Sequence, residues 1–154
     1  MRSLAVIEAL YLEFATELDA WLDRANQSGD ATAILRIEEK QRVNDSAYFI
    51  LAWGQIEAEI NRMAEQAVRR HRSSTVWTER RAWDAHDPDT MRARFEDRVA
   101  LVLDRANTES DAYRRTIRYY GWRNGIAHGT TLATGIDVAA IIGDFYQIAS
   151  ELTG

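Results

Sequence analysis

The side chains best suited to chemistry fall in one short segment, Arg123-Asn124-Gly125-Ile126-Ala127-His128. Histidine titrates near neutral pH and can take or give a proton. Arginine's planar fork holds a phosphate through two donors and stabilises negative charge that develops on it. Asn124, beside Arg123, can orient the phosphate or the histidine. Together these groups suit the cleavage of RNA. That reaction needs a proton taken from the 2′-hydroxyl, a proton given to the leaving oxygen, and positive charge on the phosphorane. The scheme calls for no metal and no cofactor.

Spacing sets a condition on this chemistry. In an unbroken α-helix an offset of five residues turns about 500°, which leaves Arg123 and His128 roughly 140° apart around the axis. Two arrangements bring them together. Either the helix breaks at Asn124-Gly125, which glycine permits, or groups from two copies of the chain meet. A plainer reading is that Arg123 and Asn124 cap the preceding helix and that His128 bonds a carbonyl next to Gly129.

The other candidates carry less. His71 lies among Arg69, Arg70 and Arg72 at a helix C-terminus, where positive charge suits the dipole, and reads as a solvated end. His86 precedes Asp87-Pro88 and reads as a loop cap. The three histidines show neither Glu-x-x-His nor His-x-x-x-His spacing, so a carboxylate-bridged metal bundle is not indicated. There is no Gly-x-x-x-x-Gly-Lys loop for a nucleotide. Trp77 and Trp83 flank Arg80 and Arg81. Aromatics beside arginine can stack bases, but such tryptophans more often plug the end of a bundle, and that reading is preferred from sequence.

The elements that must position these residues are helical. Leu4, Ile7, Tyr11, Phe14, Leu18, Trp21 and Ala25 step by three and four, which predicts a helix over 3–25 with one apolar stripe, stopped by Ser28-Gly29-Asp30. Residues 31–45 form a weaker, charged helical stretch. Ser46 to His71 reads as a strong helix, with Phe49, Trp53, Ile56, Ile60, Met63 and Ala67 on one face. Residues 72–87 lack a period and are predicted to be a loop. Asp87-Pro88-Asp89 is a good helix start, and Met91, Phe95, Val99, Val102 and Ala106 follow on one face. Ser110-Asp111 can start the next helix, with Tyr113, Ile117 and Tyr120 inward. Gly135 precedes a last helix striped by Val138, Ile141, Ile142, Phe145, Ile148 and Leu152. No strand pattern or repeat competes. The expected fold is all-α, a helical bundle of about five helices forming one domain over residues 1–154. A stripe left over after the core is filled would be available as a dimer face.

Composition agrees with a globular helical protein. The 154 residues include one proline and eight glycines, few breakers for the length. There is no cysteine, which excludes disulfides and thiolate chemistry. The N-terminus meets Glu8 before any signal core develops, and no apolar run approaches the roughly 18 residues of a membrane span, so a cytoplasmic protein with no membrane partner is expected. Net charge is −5, unevenly spread. Residues 1–60 carry 5 basic and 11 acidic groups, residues 61–128 carry 14 and 10, and residues 129–154 add 3 acids. Only the middle of the chain has the sign to attract a polyanion.

Two segments carry a family resemblance. Arg123 followed by the polar Asn124, then His128 and the Ala-His-Gly ending, resembles the signature of the HEPN superfamily. Phe49-Ile50-Leu51-Ala52-Trp53-Gly54-Gln55-Ile56-Glu57 looks like the long central helix of several HEPN groups, and the likeness in helical layout covers most of the chain. The resemblance implies a homodimer, with two copies of Arg123, Asn124 and His128 lining one cleft on a two-fold axis. It implies RNA as substrate, a 2′,3′-cyclic phosphate product, and a toxin–antitoxin or phage-defence setting with an antitoxin or other defence-system partner. It implies equally a catalytically inactive HEPN domain that binds RNA, nucleotide or a protein partner, since many members have lost catalysis. Some toxin members carry a tyrosine two residues after the histidine, which a nucleotidyltransferase antitoxin modifies. Thr130 stands there in this chain, so the resemblance does not extend to that route.

Overall fold

The structure, a computed structural model, describes residues 2–84, 94–107, 109–133 and 136–153. Among the described residues it is all-α, with six helices and no strand: α1 (Arg2–Ser28), α2 (Ala31–Arg72), α3 (Trp77–Trp83), α4 (Phe95–Ala100), α5 (Ala112–Ala127) and α6 (Val138–Thr153). The all-α bundle of about five helices is borne out, and two of its expected boundaries differ. The weak stretch 31–45 and the strong helix from Ser46 are one helix of 42 residues. The predicted loop at 72–87 contains α3. The helix start at Asp87-Pro88-Asp89, with Met91, His86 and Gly135, lies outside the described residues.

Local chemistry explains the boundaries. Gly29, at φ +70°, ends α1: its N–H donates to Asn26 O at 3.1 Å and the Asp30 N–H to Ala25 O at 3.2 Å, the paired closing bonds of a glycine C-cap. Asp30 then starts α2 by accepting the Ala33 N–H on Oδ1 at 3.0 Å. Four consecutive basic residues, Arg69 to Arg72, offset the dipole where α2 ends. The expected face of α4 extends to Ala106, but the helix stops at Ala100. Asp104 Oδ1 accepts the Ala106 N–H, and Asn107 Oδ1 accepts the N–H groups of Glu109 and Ser110. These side chains capture backbone donors that a longer helix would need. Asp137 caps α6 through the Ala140 N–H.

The chain forms two compact units, each assembled from separate stretches: 1–55 with 119–146, and 56–118 with 147–154. In the first unit α1, the first part of α2, the end of α5 and most of α6 pack around aromatic rings. Phe49 lies 6.3 Å from Tyr119, 6.1 Å from Trp122 and 6.1 Å from Phe145, centroid to centroid. Trp53 meets Phe145 edge-on at 5.9 Å. Tyr119 Oη donates to Asp144, and Tyr146 Oη to Glu8. In the second unit Ile60, Ala64, Val68, Phe95, Val99 and Leu103 are buried. There Arg115 donates to Gln147 Oε1 at 2.8 Å, and the Ser110 hydroxyl to Glu151.

Burial corrects the phase of two stripes. On α5 the buried positions are Ala112, Thr116 and Tyr119, one residue earlier than the expected Tyr113, Ile117 and Tyr120. On α2 Ala64 and Val68 are buried in place of Met63 and Ala67.

Candidate functional site

Arg123, Asn124 and His128 all belong to the last turns of α5 and its cap. The helix runs unbroken through Asn124 and Gly125 to Ala127. Of the two arrangements open from sequence, a break at Asn124-Gly125 is therefore excluded. Within one copy Arg123 and His128 leave the axis roughly 140° apart, as continuous helical geometry requires. Arg123 and Asn124 are brought together: both are half-buried, and Arg123 Nη1 donates to Asn124 Oδ1 at 3.2 Å. His128 is exposed, and among the described residues its ring makes no hydrogen bond to either.

The end of α5 is closed by its own backbone. Gly129 adopts φ +92°, its N–H donates to Ile126 O at 3.0 Å, and the Thr130 N–H donates to Gly125 O at 3.1 Å. This is the same two-bond glycine cap that ends α1. The closure is tight, since a Cβ on Gly125 would lie 3.0 Å from Thr130 Oγ1. Capping by Arg123 or Asn124, the plainer reading of these residues, is thus not needed. The backbone supplies the cap and leaves their side chains to other partners.

Beyond the cap the chain is tied to α2. Leu132 is buried, and its N–H donates to Ser46 Oγ at 2.9 Å. The Ser46 hydroxyl in turn donates to Arg42 O at 2.7 Å. His128 therefore stands between a rigid helix end and an anchored segment. Sequence reasoning missed Ser46, taking it as a helix start. The available signal was a polar residue in phase with the apolar period of Phe49 and Trp53; the structure buries it to 6% exposure.

Two hollows lie in the same unit, and neither is lined by Arg123, Asn124 or His128. One, of about 420 Å³, is bordered by Tyr11, Asp19, Gln41, Arg42, Asp45 and Ile136. Tyr11 Oη donates to Asp45 Oδ1 at 3.2 Å. Burial, then the Asp45 charge, pushes the Tyr11 hydroxyl well above its ordinary value. Burial also raises the Asp45 carboxyl, against the opposing bond from Tyr11. The other hollow, of about 480 Å³, has Phe14, Leu18, Trp21, Val43 and Ala47 among its walls, with Lys40 Nζ 5.1 Å from the Trp21 ring centre.

Two expectations in the second unit are corrected. His71 is not a solvated end: its ring stacks on Trp83 at 4.5 Å and 11°. Trp77 does not plug a bundle end. No residue of α3 is buried, and Trp77 is 59% exposed. Among the described residues no three histidine, aspartate or glutamate side chains gather as metal ligands. Among the described residues no helix is long and apolar enough to cross a membrane. Compared with known proteins, the chain matches no family model, no curated protein and no solved structure.

Proposed function

We propose that the protein is a metal-independent endoribonuclease of the HEPN type, acting as a homodimer in a toxin–antitoxin or phage-defence setting. One observation supports this reading above the others: an Arg123–Asn124 pair joined by a hydrogen bond, one turn before an exposed histidine on a closed helix end. With Asn124 Oδ1 occupied by Arg123, its Nδ2 is left to donate toward a phosphate oxygen. Arg123 stabilises the charge on the phosphorane. His128 of one protomer takes the 2′-hydroxyl proton as O2′ attacks phosphorus. His128 of the other gives a proton to the departing 5′-oxygen. The products are a 2′,3′-cyclic phosphate and a 5′-hydroxyl end. The divergence of Arg123 and His128 within one α5 is the reason a second copy is required.

That same divergence favours a second reading, a catalytically inactive HEPN domain that binds RNA, nucleotide or a protein partner. One assay decides between them. A pool of single-stranded and structured RNA is incubated in EDTA with wild type, His128→Ala and Arg123→Ala, and molecular mass in solution is measured alongside. Wild type is expected to cut as a dimer, and each substitution to lower the rate by at least about 100-fold, the scale of a lost proton-transfer group. Cleavage retained by His128→Ala would remove its catalytic role. Binding without any cleavage would select the second reading.

A further inference from the structure

The ends of α2 and α3 make a basic lobe with an aromatic platform. α3 folds back on the last turn of α2 across residues 73–76. The fold-back is held by the His71–Trp83 stack, by the Ser74 hydroxyl donating to Glu79 Oε2 at 2.7 Å, and by Arg80 Nη1 donating to Ser74 O at 3.3 Å. Ser74 Oγ also accepts the Val76 N–H at 3.1 Å. Over residues 69–84 five arginines stand against Glu79 and Asp84, a net +3, while the rest of the chain then sums to −8. Positive charge is thus gathered here in a chain that is acidic overall; the other basic stretch is α5, with Arg114, Arg115, Arg118 and Arg123 and no acid.

One face of α3 has the composition of a base-stacking surface. Trp77, Arg80 and Arg81 fall at i, i+3 and i+4, so they share that face. The Trp77 indole is 59% exposed, and the Arg80 guanidinium carbon lies 5.8 Å from its ring centre. Arg81, Arg69 and Arg70 are exposed, and Arg80 and Arg72 half-buried. A helix of seven residues with none buried contributes nothing to a core. Of its two tryptophans Trp83 is half-buried against His71, while Trp77 faces water and would gain from a partner that covers it.

We propose that this lobe binds single-stranded RNA, with an unpaired base stacked on Trp77 and the flanking phosphates on Arg70, Arg80 and Arg81. Single strands are specified because a duplex covers the base faces that an indole needs. The choice of RNA over DNA rests on the proposed function. The binding itself does not, because it uses none of Arg123, Asn124 or His128.

The test uses the full-length protein and a fluorescent 2′-O-methylated oligoribonucleotide of about 12 residues, within the range of known single-strand sites. This probe lacks the 2′-hydroxyl nucleophile and is not cut. Anisotropy is followed from roughly 50 to 200 mM salt. Trp77→Ala is expected to weaken binding about tenfold, from loss of one stacked base, and Trp77→Phe to restore most of it. Arg70→Gln with Arg81→Gln is expected to flatten the slope of log affinity against log salt by about 1.4, at roughly 0.7 per phosphate contact. Circular dichroism checks that the variants fold. The proposal is overturned if Trp77→Ala binds like wild type, or if a duplex binds as tightly as the single strand. It is overturned too if heparin binds and no oligonucleotide does, which would make the lobe a surface for a polyanion other than nucleic acid. A protein that cuts no RNA yet loses probe on Trp77→Ala would keep this site and lose the catalytic reading. The converse result would do the opposite.

Discussion

Ser46→Ala tests whether the segment after His128 is held as described. Ser46 is 6% exposed and Leu132 5%, so their hydrogen bond is formed out of water. Removing Oγ deletes two bonds with unequal consequences. The Arg42 carbonyl belongs to the interior of α2 and keeps its helical partner. The Leu132 N–H is left buried with no acceptor, a cost of about 1–3 kcal/mol. Alanine returns a few tenths through its better helix propensity. The net loss is about 1–2 kcal/mol, a fall in Tm of about 3–6 °C for a chain of this size. Urea and thermal unfolding give the global change, and hydrogen exchange at the Leu132 amide gives the local one. Exchange there should quicken more than at α2 amides, because the lost acceptor is specific to that donor. A variant as stable as wild type, or a Leu132 amide that stays protected, would refute the reasoning.

Two further predictions follow from the same unit. Gly129→Ala should cost about 1 kcal/mol, from φ +92° alone, since a Cβ there meets nothing within 4 Å; a denaturation midpoint equal to wild type would contradict this. Asp45→Asn tests a buried charge: the Asp45 carboxyl is held above its ordinary value by burial, so ionising it opposes folding. That penalty is absent below the ordinary aspartate value of about 3.9 and grows as pH rises through it toward the raised one. Asp45→Asn should therefore be more stable than wild type near neutral pH and converge with it in acid; urea midpoints across that window check the sign, and a less stable variant at neutral pH would reverse it.

The helical class and most boundaries were legible because the apolar periods are long. The stripe of α6, from Val138 to Leu152, is buried at every expected position. The stripe of α1 was legible in register but not in depth. Leu4, Tyr11, Leu18 and Ala25 are buried, whereas Phe14 and Trp21 are 47% and 40% exposed. A three-four pattern defines two adjacent columns on a helix, and only contact with a neighbour decides which of them is covered. The phase of α5 was misread because Ala112 and Thr116 take the buried positions and give a weaker apolar signal than Tyr113 and Ile117. Helix α3 escaped notice because it has no apolar period to show: what holds it is the His71–Trp83 stack and the Ser74 bonds. At the candidate site the residues were legible by type. The unbroken course of α5 was not, because Gly125 is compatible with a kink and also with the close approach of Thr130 that the fold uses.

The division of the chain into interleaved stretches bears on how it is made. Neither unit is a contiguous piece of sequence: the first needs 1–55 and 119–146, the second 56–118 and 147–154. A ribosome that has released residue 55 has delivered only α1 and the first part of α2, with the Phe49 and Trp53 rings still lacking Tyr119 and Phe145. At about 5–20 residues per second, the stretch up to residue 146 takes roughly 5–18 s to arrive. During that interval the nascent helical pair offers aromatic surface to any chaperone or neighbouring chain within reach. Residues 146 and 154 complete the two units in close succession, so the emergence of α6 times the folding of both.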